Sequence, residues 1–255
     1  MVCRQLCLIL LLVVGAEGNA QAPERHEHAG LIVDARNGEP IDRALATAYA
    51  SAITPARGAC PEHREQINQS LSERGNFDFQ IDTKYSSYFA VYCSNGFQVL
   101  EISANSNRIS GTPVSPNPIM LFPNGQRLQA SGVSQTTAAR QAITRVLDIV
   151  ADKLRRLASL DAAAFSSALG RLTTGDQQTV KELTPRTASV TPLQDTLPAV
   201  TQDAPLRVLD DATIHLRYFA RVAGDGFYAA IKLFSPTDQA TVNRLQDRPF
   251  ALQTR

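Results

Sequence analysis

The sequence has no tryptophan. That removes the residue that most often stacks on sugar rings and weakens a carbohydrate-binding reading, although tyrosine and phenylalanine can stack too. A charge excess is missing as well, since 25 basic residues face 24 acidic ones and leave a net charge of +1. Without the broad basic field that a phosphate backbone demands, nucleic acid is not an expected partner. Beyond the first residues no apolar run approaches the length of a bilayer span, so the mature chain is expected to carry no transmembrane segment. Metal-ligating patterns are sparse. His26-Glu27-His28 lacks a third fixed ligand and reads as a solvated tail, so no metal and no cofactor are expected.

What is present begins at the N-terminus. Arg4 is followed by an apolar run, Leu6 to Val14, and then by small residues at Gly18, Ala20 and Ala22. A short positive region, a short apolar core and small residues at a cleavage point make residues 1–22 a signal peptide in this reading, with a secreted, periplasmic location. Cys3 and Cys7 would leave with the signal. The two remaining cysteines, Cys60 and Cys93, are 33 residues apart and in an oxidising compartment are expected to form a disulfide. Such a cross-link would stabilise by about 3–4 kcal/mol in the chain-entropy model. A composition of 44% hydrophobic residues is enough to bury a sizeable core around it.

Residues 28–123 read as an all-β sandwich. Leu31 and Val33 share a strand face, Asn37-Gly38 supplies the positive φ of a tight turn, and the chain then runs extended from Ala44 to Ala50. Residues 53–72 read as a long insertion that the disulfide would tie to the sheet. Phe77, Phe79 and Ile81 alternate with polar neighbours, and further strands are expected at Tyr88–Cys93, Phe97–Ser103 and Ile119–Phe122, with Ser94-Asn95-Gly96 as a reversing turn.

The order GLIVDARNGEPIDRALATAYA, GNFDFQI, YFAVYCSNGF, PIMLFP resembles the carboxypeptidase regulatory-like domain, a transthyretin-like (prealbumin-like) β-sandwich. Gly30, Val33, Asp34, Gly38, Glu39, Pro40, Ile41, Ala44, Gly75, Phe77 and Phe79 stand where that family has its G-x-V-x-D, E-P-I-x-G-A and G-x-Y/F-x-F segments. Asp42-Arg43 departs from the pattern, because a glycine often precedes that alanine. The resemblance implies a non-catalytic module of the kind attached to peptidases, transporters and secreted proteins. Zinc peptidase chemistry would need a catalytic domain that is not apparent, and His63-Arg64-Glu65 has the wrong separation for its ligand pair.

Composition then shifts to Ala, Leu, Arg and Gln. Ile143, Leu147, Val150, Leu154 and Leu157 recur at three- and four-residue spacing, which predicts a helix from Ser134 to Ala158. Ser159 is read as the next N-cap, Ala162–Leu172 as a second helix, and DQQTVKEL as a short third one. Residues 132–184 are thus a helical segment, a hairpin packed on the sandwich or else a coiled-coil surface for a partner. Prolines at 185, 192, 198 and 205 mark 185–206 as a Pro/Thr-rich linker. In residues 207–255, apolar residues alternate from Ile214 to Val222 and again from Phe227 to Leu233 about Gly224-Asp225-Gly226, which predicts a β-hairpin. Ser235-Pro236-Thr237-Asp238 then starts a short helix. The second hairpin face would carry His215, Arg217, Arg221 and Lys232, either an ordinary solvated face or a grip for an anionic partner.

The fold class expected is therefore α+β, a transthyretin-like sandwich followed by a helical hairpin and a β-hairpin with a helix. The function expected is non-catalytic binding or assembly in the cell envelope through contacts with an envelope or secreted protein. Two alternatives stand beside it. A secreted hydrolase, or its accessory subunit, would gather His63 or His215 with acidic residues in a cleft. A small-ligand or glycan binder would display Tyr85, Tyr88, Tyr92 or Phe97 in a concave patch.

Overall fold

The computed structural model describes residues 25–50, 60, 66–82, 85, 88–103, 108–109, 112–113, 116–186 and 201–249. The proposed signal, His63 and most of the Pro/Thr-rich stretch lie outside the described residues. The fold is mixed α+β, with two sheets and seven helices among those residues.

β1 (Arg25–Asp34) is the centre of a three-stranded sheet. It pairs antiparallel with β4 (Asn76–Asp82) and parallel with β9 (Ile119–Leu121). The facing sheet runs β3 (Gln66–Leu71), β2 (Leu45–Tyr49), β5 (Phe89–Cys93), β6 (Leu100–Ser103), all antiparallel. A small ribbon joins β7 (Arg108–Ile109) to β8 (Thr112–Pro113). Phe77, Phe79 and Ile81 are buried while their neighbours in β4 are not, as the alternation predicts.

The Asn37-Gly38 turn forms, with Val33 bridged to Pro40 across it, but β2 does not continue that hairpin. It crosses to the other sheet, because Ala46, Ala48 and Tyr49 bury against β5 and β3. Gly38 has φ +75°, a torsion that favours glycine, and a β-carbon there would also displace the guanidinium of Arg145. β3 lies inside the stretch expected to be a loop. Its Asn68 amide donates to the carbonyl of Gln80 and its Ser70 hydroxyl accepts from the amide of Asp78, so β3 side chains engage the outer edge of β4. The sulfurs of Cys60 and Cys93 lie at disulfide distance, with Cα atoms 5.5 Å apart. The expected solvated tail is also corrected, because His28 sits inside β1 and is buried between the sheets.

The helical part opens with α1 (Gly125–Ser131), then α2 (Gln135–Leu160), α3 (Ala162–Leu169) and α4 (Thr174–Leu183). The hydroxyl of Ser134 caps α2 by accepting from the Thr137 amide. Asp161, not Ser159, caps α3, since the Asp161 carboxylate takes the Ala164 amide while the Ser159 hydroxyl bonds back to Arg156.

The expected C-terminal β-hairpin is replaced by helices. α5 (Ala204–Ala223) and α6 (Asp225–Ile231) occupy it, followed by α7 (Pro236–Asp247) with the predicted Ser235 cap. Alternation from Ile214 onward is misleading, because Leu209, Ala212, Leu216, Phe219 and Ala223 also recur at three- and four-residue spacing and all are buried. Ala204 and Pro205, expected in the linker, form the first turn of α5, with proline where a helix tolerates it. Gly224 ends that helix instead of turning a hairpin. The buried side chains of sandwich and helices form one continuous cluster.

Candidate functional site

Among the described residues, chemistry-bearing side chains come together in buried polar clusters, chief among them a seam where α5 meets the sandwich, and in an open cleft at the sandwich's end.

β9 is an edge strand whose outward amides would be unpaired and prone to recruit another chain. α5 covers them. The amide of Met120 donates to His215 Nε2 at 3.1 Å, and the amide of Phe122 donates to the Tyr218 hydroxyl at 3.0 Å. Residues three apart on a helix face thus meet amides two apart on a strand. Because Nε2 must accept, the proton resides on Nδ1, which donates to the carbonyl of Asp211 at 2.9 Å. Burial lowers the imidazole to a pKa of about 4. The Tyr218 hydroxyl in turn donates to the carbonyl of Gln98, in the β5–β6 connection, at 2.8 Å. Burial raises this phenol above its ordinary value.

Beside them Lys153 donates to the carbonyl of Asn117 and faces the Asp211 carboxylate at 3.8 Å. Burial pushes Asp211 up to about 7 despite the ammonium, and neighbouring Asp210 pushes the same way. Arg248 joins Asp176 of α4, at 2.7 Å, to Asp210 of α5. Within the sandwich, His28 lies between two phenols, 2.5 Å from the Tyr92 hydroxyl and 3.3 Å from that of Tyr88, stacked on Phe79. Burial lowers it also to about 4. Most of these groups are buried in the core, with Asp211 partly exposed.

The cleft is open to solvent and encloses about 510 Å³. It is built from the turn after β1, the connection into β2, the β5–β6 turn and α1. Asp34, at the end of β1, is buried and accepts from Arg36 three times: backbone amide at 2.9 Å, Nε at 3.1 Å and Nη2 at 2.8 Å. Arg127 comes from α1, whose start is fixed by the Asn124 amide donating to the Gly96 carbonyl. Its guanidinium lies 4.5 Å above the Phe97 ring and 4.0 Å from Asp34. Glu39, Asp42 and Arg43 form the opposite wall with Pro40 and Ile41, and Ser94 and Asn95 the rim. With Asp34 engaged by Arg36, the wall presents guanidinium and carboxylate groups side by side. Such a surface recognises charged ligand groups by ion pairing and forked hydrogen bonds.

The residues predicted for partner binding do not share a face. His215 is buried at the β9 seam, and Arg217 bonds the carbonyls of Gln246 and Arg248. Arg221 is exposed over the Tyr218 ring, and Lys232 is exposed beyond α6. Arg217 and Arg221 stand one turn apart on α5, but His215 is on its opposite, buried side and Lys232 follows a different helix, so the four form no common face. Tyr88 and Tyr92 are buried and Tyr85 is half-buried against the core, while Phe97, largely buried, is the one member of that set that lines the cleft. Among the described residues no group of three or more His, Cys, Asp or Glu is arranged to hold a metal ion. No described helix is long and apolar enough to cross a membrane. Apart from Phe97, a candidate aromatic of a ligand patch, the cleft residues were visible in the sequence as turn and fold positions, with the Asp42-Arg43 departure as a further signal.

Compared with protein-family models, with curated proteins and with solved structures, the chain matches none of them.

Proposed function

We propose that this is an exported, non-catalytic binding protein of the cell envelope, and that it engages a protein partner through the cleft at the end of its sandwich. The observation that carries the reading is that cleft: an open concavity lined by Arg43 and Arg127 together with Glu39 and Asp42. Fixed charges of both signs on a rigid β-frame suit recognition of a polypeptide segment. The sandwich of residues 28–123 is read as transthyretin-like, on the strength of its two facing sheets and its turn residues Gly38 and Gly75. Export is supported by Cys60 and Cys93 at disulfide distance, since such bonds persist in oxidising compartments.

The test is site-specific photocross-linking in envelope extracts, with the photoreactive residue placed at Asn95 on the cleft rim or at Lys232 on the far helical surface. Capture of one discrete protein from Asn95 and none from Lys232 is expected. Capture from Lys232 alone, or from neither position, contradicts the proposal.

A further inference from the structure

Arg43 occupies a backbone conformation that arginine avoids. Its φ is +54°, in the left-handed region where a side chain crowds the following carbonyl and glycine does not. The surroundings force this. The Arg43 amide donates to the carbonyl of Ser72 at 2.9 Å, and the Ser72 hydroxyl accepts from the Ala44 amide and donates to the Ile41 carbonyl. Ser72 is buried, so these bonds hold the connection into β2 and residue 43 in place. Glycine would follow that connection at no torsional cost. The chain instead places there a long cation whose side chain is exposed and lines the cleft. Strain that a substitution to glycine would remove, kept at the wall of a cavity, marks a residue held for recognition.

Arg74 provides an internal comparison. It too has positive φ, at +50°, but it sits in the β3–β4 turn, away from the cleft lining. Its backbone amide donates to the carboxylate of Asp42 at 3.1 Å, a bond that glycine would also make.

Among the described residues the Arg43 guanidinium has no ion-pair or hydrogen-bond partner, whereas Arg127 is oriented by Phe97 below it and Asp34 beside it. Two guanidiniums at one cleft favour a carboxylate, which matches their planar donor forks. Glu39 and Asp42 on the same wall disfavour a simple dianion and favour a ligand with a cation close to that carboxylate. A volume of about 510 Å³ accommodates a terminal residue or two, not a folded domain.

Resting on the envelope-binding reading above, we propose that the cleft binds the C-terminal end of a polypeptide whose last residue is basic. Arg43 and Arg127 clamp the terminal carboxylate, and Glu39 and Asp42 receive the basic side chain.

The experiment uses the mature protein and a fluorescein-labelled hexapeptide, Gly-Ser-Gly-Ala-Ala-Lys, read by fluorescence anisotropy. The comparison peptides are its C-terminal amide and a version ending in Glu. Thermal melts accompany each variant. The free-carboxylate Lys peptide should bind, with both comparison peptides weaker by about tenfold or more. Arg43→Gly should weaken that binding by about tenfold or more while leaving the melting midpoint equal to or above that of the wild type. Arg74→Gly should relieve the same kind of strain and leave peptide binding unchanged. Equal binding of the amide, no binding of the Lys peptide, or undiminished binding by Arg43→Gly overturns the proposal. Photocapture from Asn95 that persists in Arg43→Gly would overturn the clamp yet leave the envelope-binding reading standing. No photocapture by the wild type would remove that reading as well.

Discussion

The Tyr218 hydroxyl is a point where a single atom holds the segment after β9 and the β5–β6 connection to a helix. It accepts from Phe122 and donates to Gln98, both backbone groups that would otherwise be buried without partners. Tyr218→Phe keeps the ring and deletes the bridge, so it should cost about 1–3 kcal/mol by urea denaturation, more than an exposed substitution such as Arg221→Ala. Equal midpoints for the two variants would show that the bridge carries no weight.

The two buried imidazoles make a second residue-scale prediction. His28 and His215 have folded pKa values near 4 against 6.5 unfolded, so the unfolded chain takes up two protons as pH falls through that window and stability is lost. Asp211 acts oppositely. Its folded value near 7 lies above 3.8, so its contribution is present at low pH and lost as pH rises toward 7. Between pH 4 and 6.5 the net difference is about one proton, and stability should fall by about 1.4 kcal/mol per pH unit on acidification. Asp211→Asn removes the opposing group and should steepen the slope to about twice that. A flat profile from pH 6.5 to 4 in the wild type would contradict the neutral, buried state of the histidines.

At the scale of elements, the helices are tied together by few but deeply buried charges. Arg248, just beyond α7, reaches Asp176 in α4 and Asp210 in α5, while Arg217 of α5 holds the carbonyl of Arg248 itself. Removing one partner of such a set strands the remaining charges. Arg248→Ala should therefore cost about 3–5 kcal/mol in calorimetric unfolding, and a loss below about 1 kcal/mol would mean solvent already reaches the site.

Where local pattern and burial agree, these elements were legible in the sequence. The β4 alternation, the Ser134 and Ser235 caps and the long apolar stripe of α2 all gave the right structure, because each is a short-range signal. α5 was not legible, for a physical reason. It is buried on most of its circumference, including His215 and Thr213, so apolar and polar residues do not sort into faces and a period-2 fit competes with the helical one. Its first turn also looked like linker, since a proline-rich stretch and a helix beginning with proline share the same residue. β3 was hidden because Gln66, Asn68 and Gln69 are polar, as befits an edge strand satisfied by side-chain bonds. Of the cleft, Ser94 and Asn95 were seen as turn residues and Glu39 and Pro40 as positions of the family pattern, but Arg127 and Phe97 lie 30 positions apart and meet through long-range pairing such as the Asn124–Gly96 bond and the Phe97–Pro123 bridge.

On the scale of the whole molecule, the C-terminal helices close one edge of the three-stranded sheet from within the same chain. Met120 and Phe122 have their outward amides taken, so β9 has no free row for strand addition by a partner. The cleft between the Pro40–Arg43 wall and Arg127 is the surface proposed for recognition. The most direct measurement is hydrogen–deuterium exchange of the intact protein alone and bound to the partner captured through Asn95. The account predicts new protection at residues 39–43 and 94–97, with α5 and α6 unchanged. Protection confined to residues 214–233, with the cleft segments exchanging as before, would contradict it.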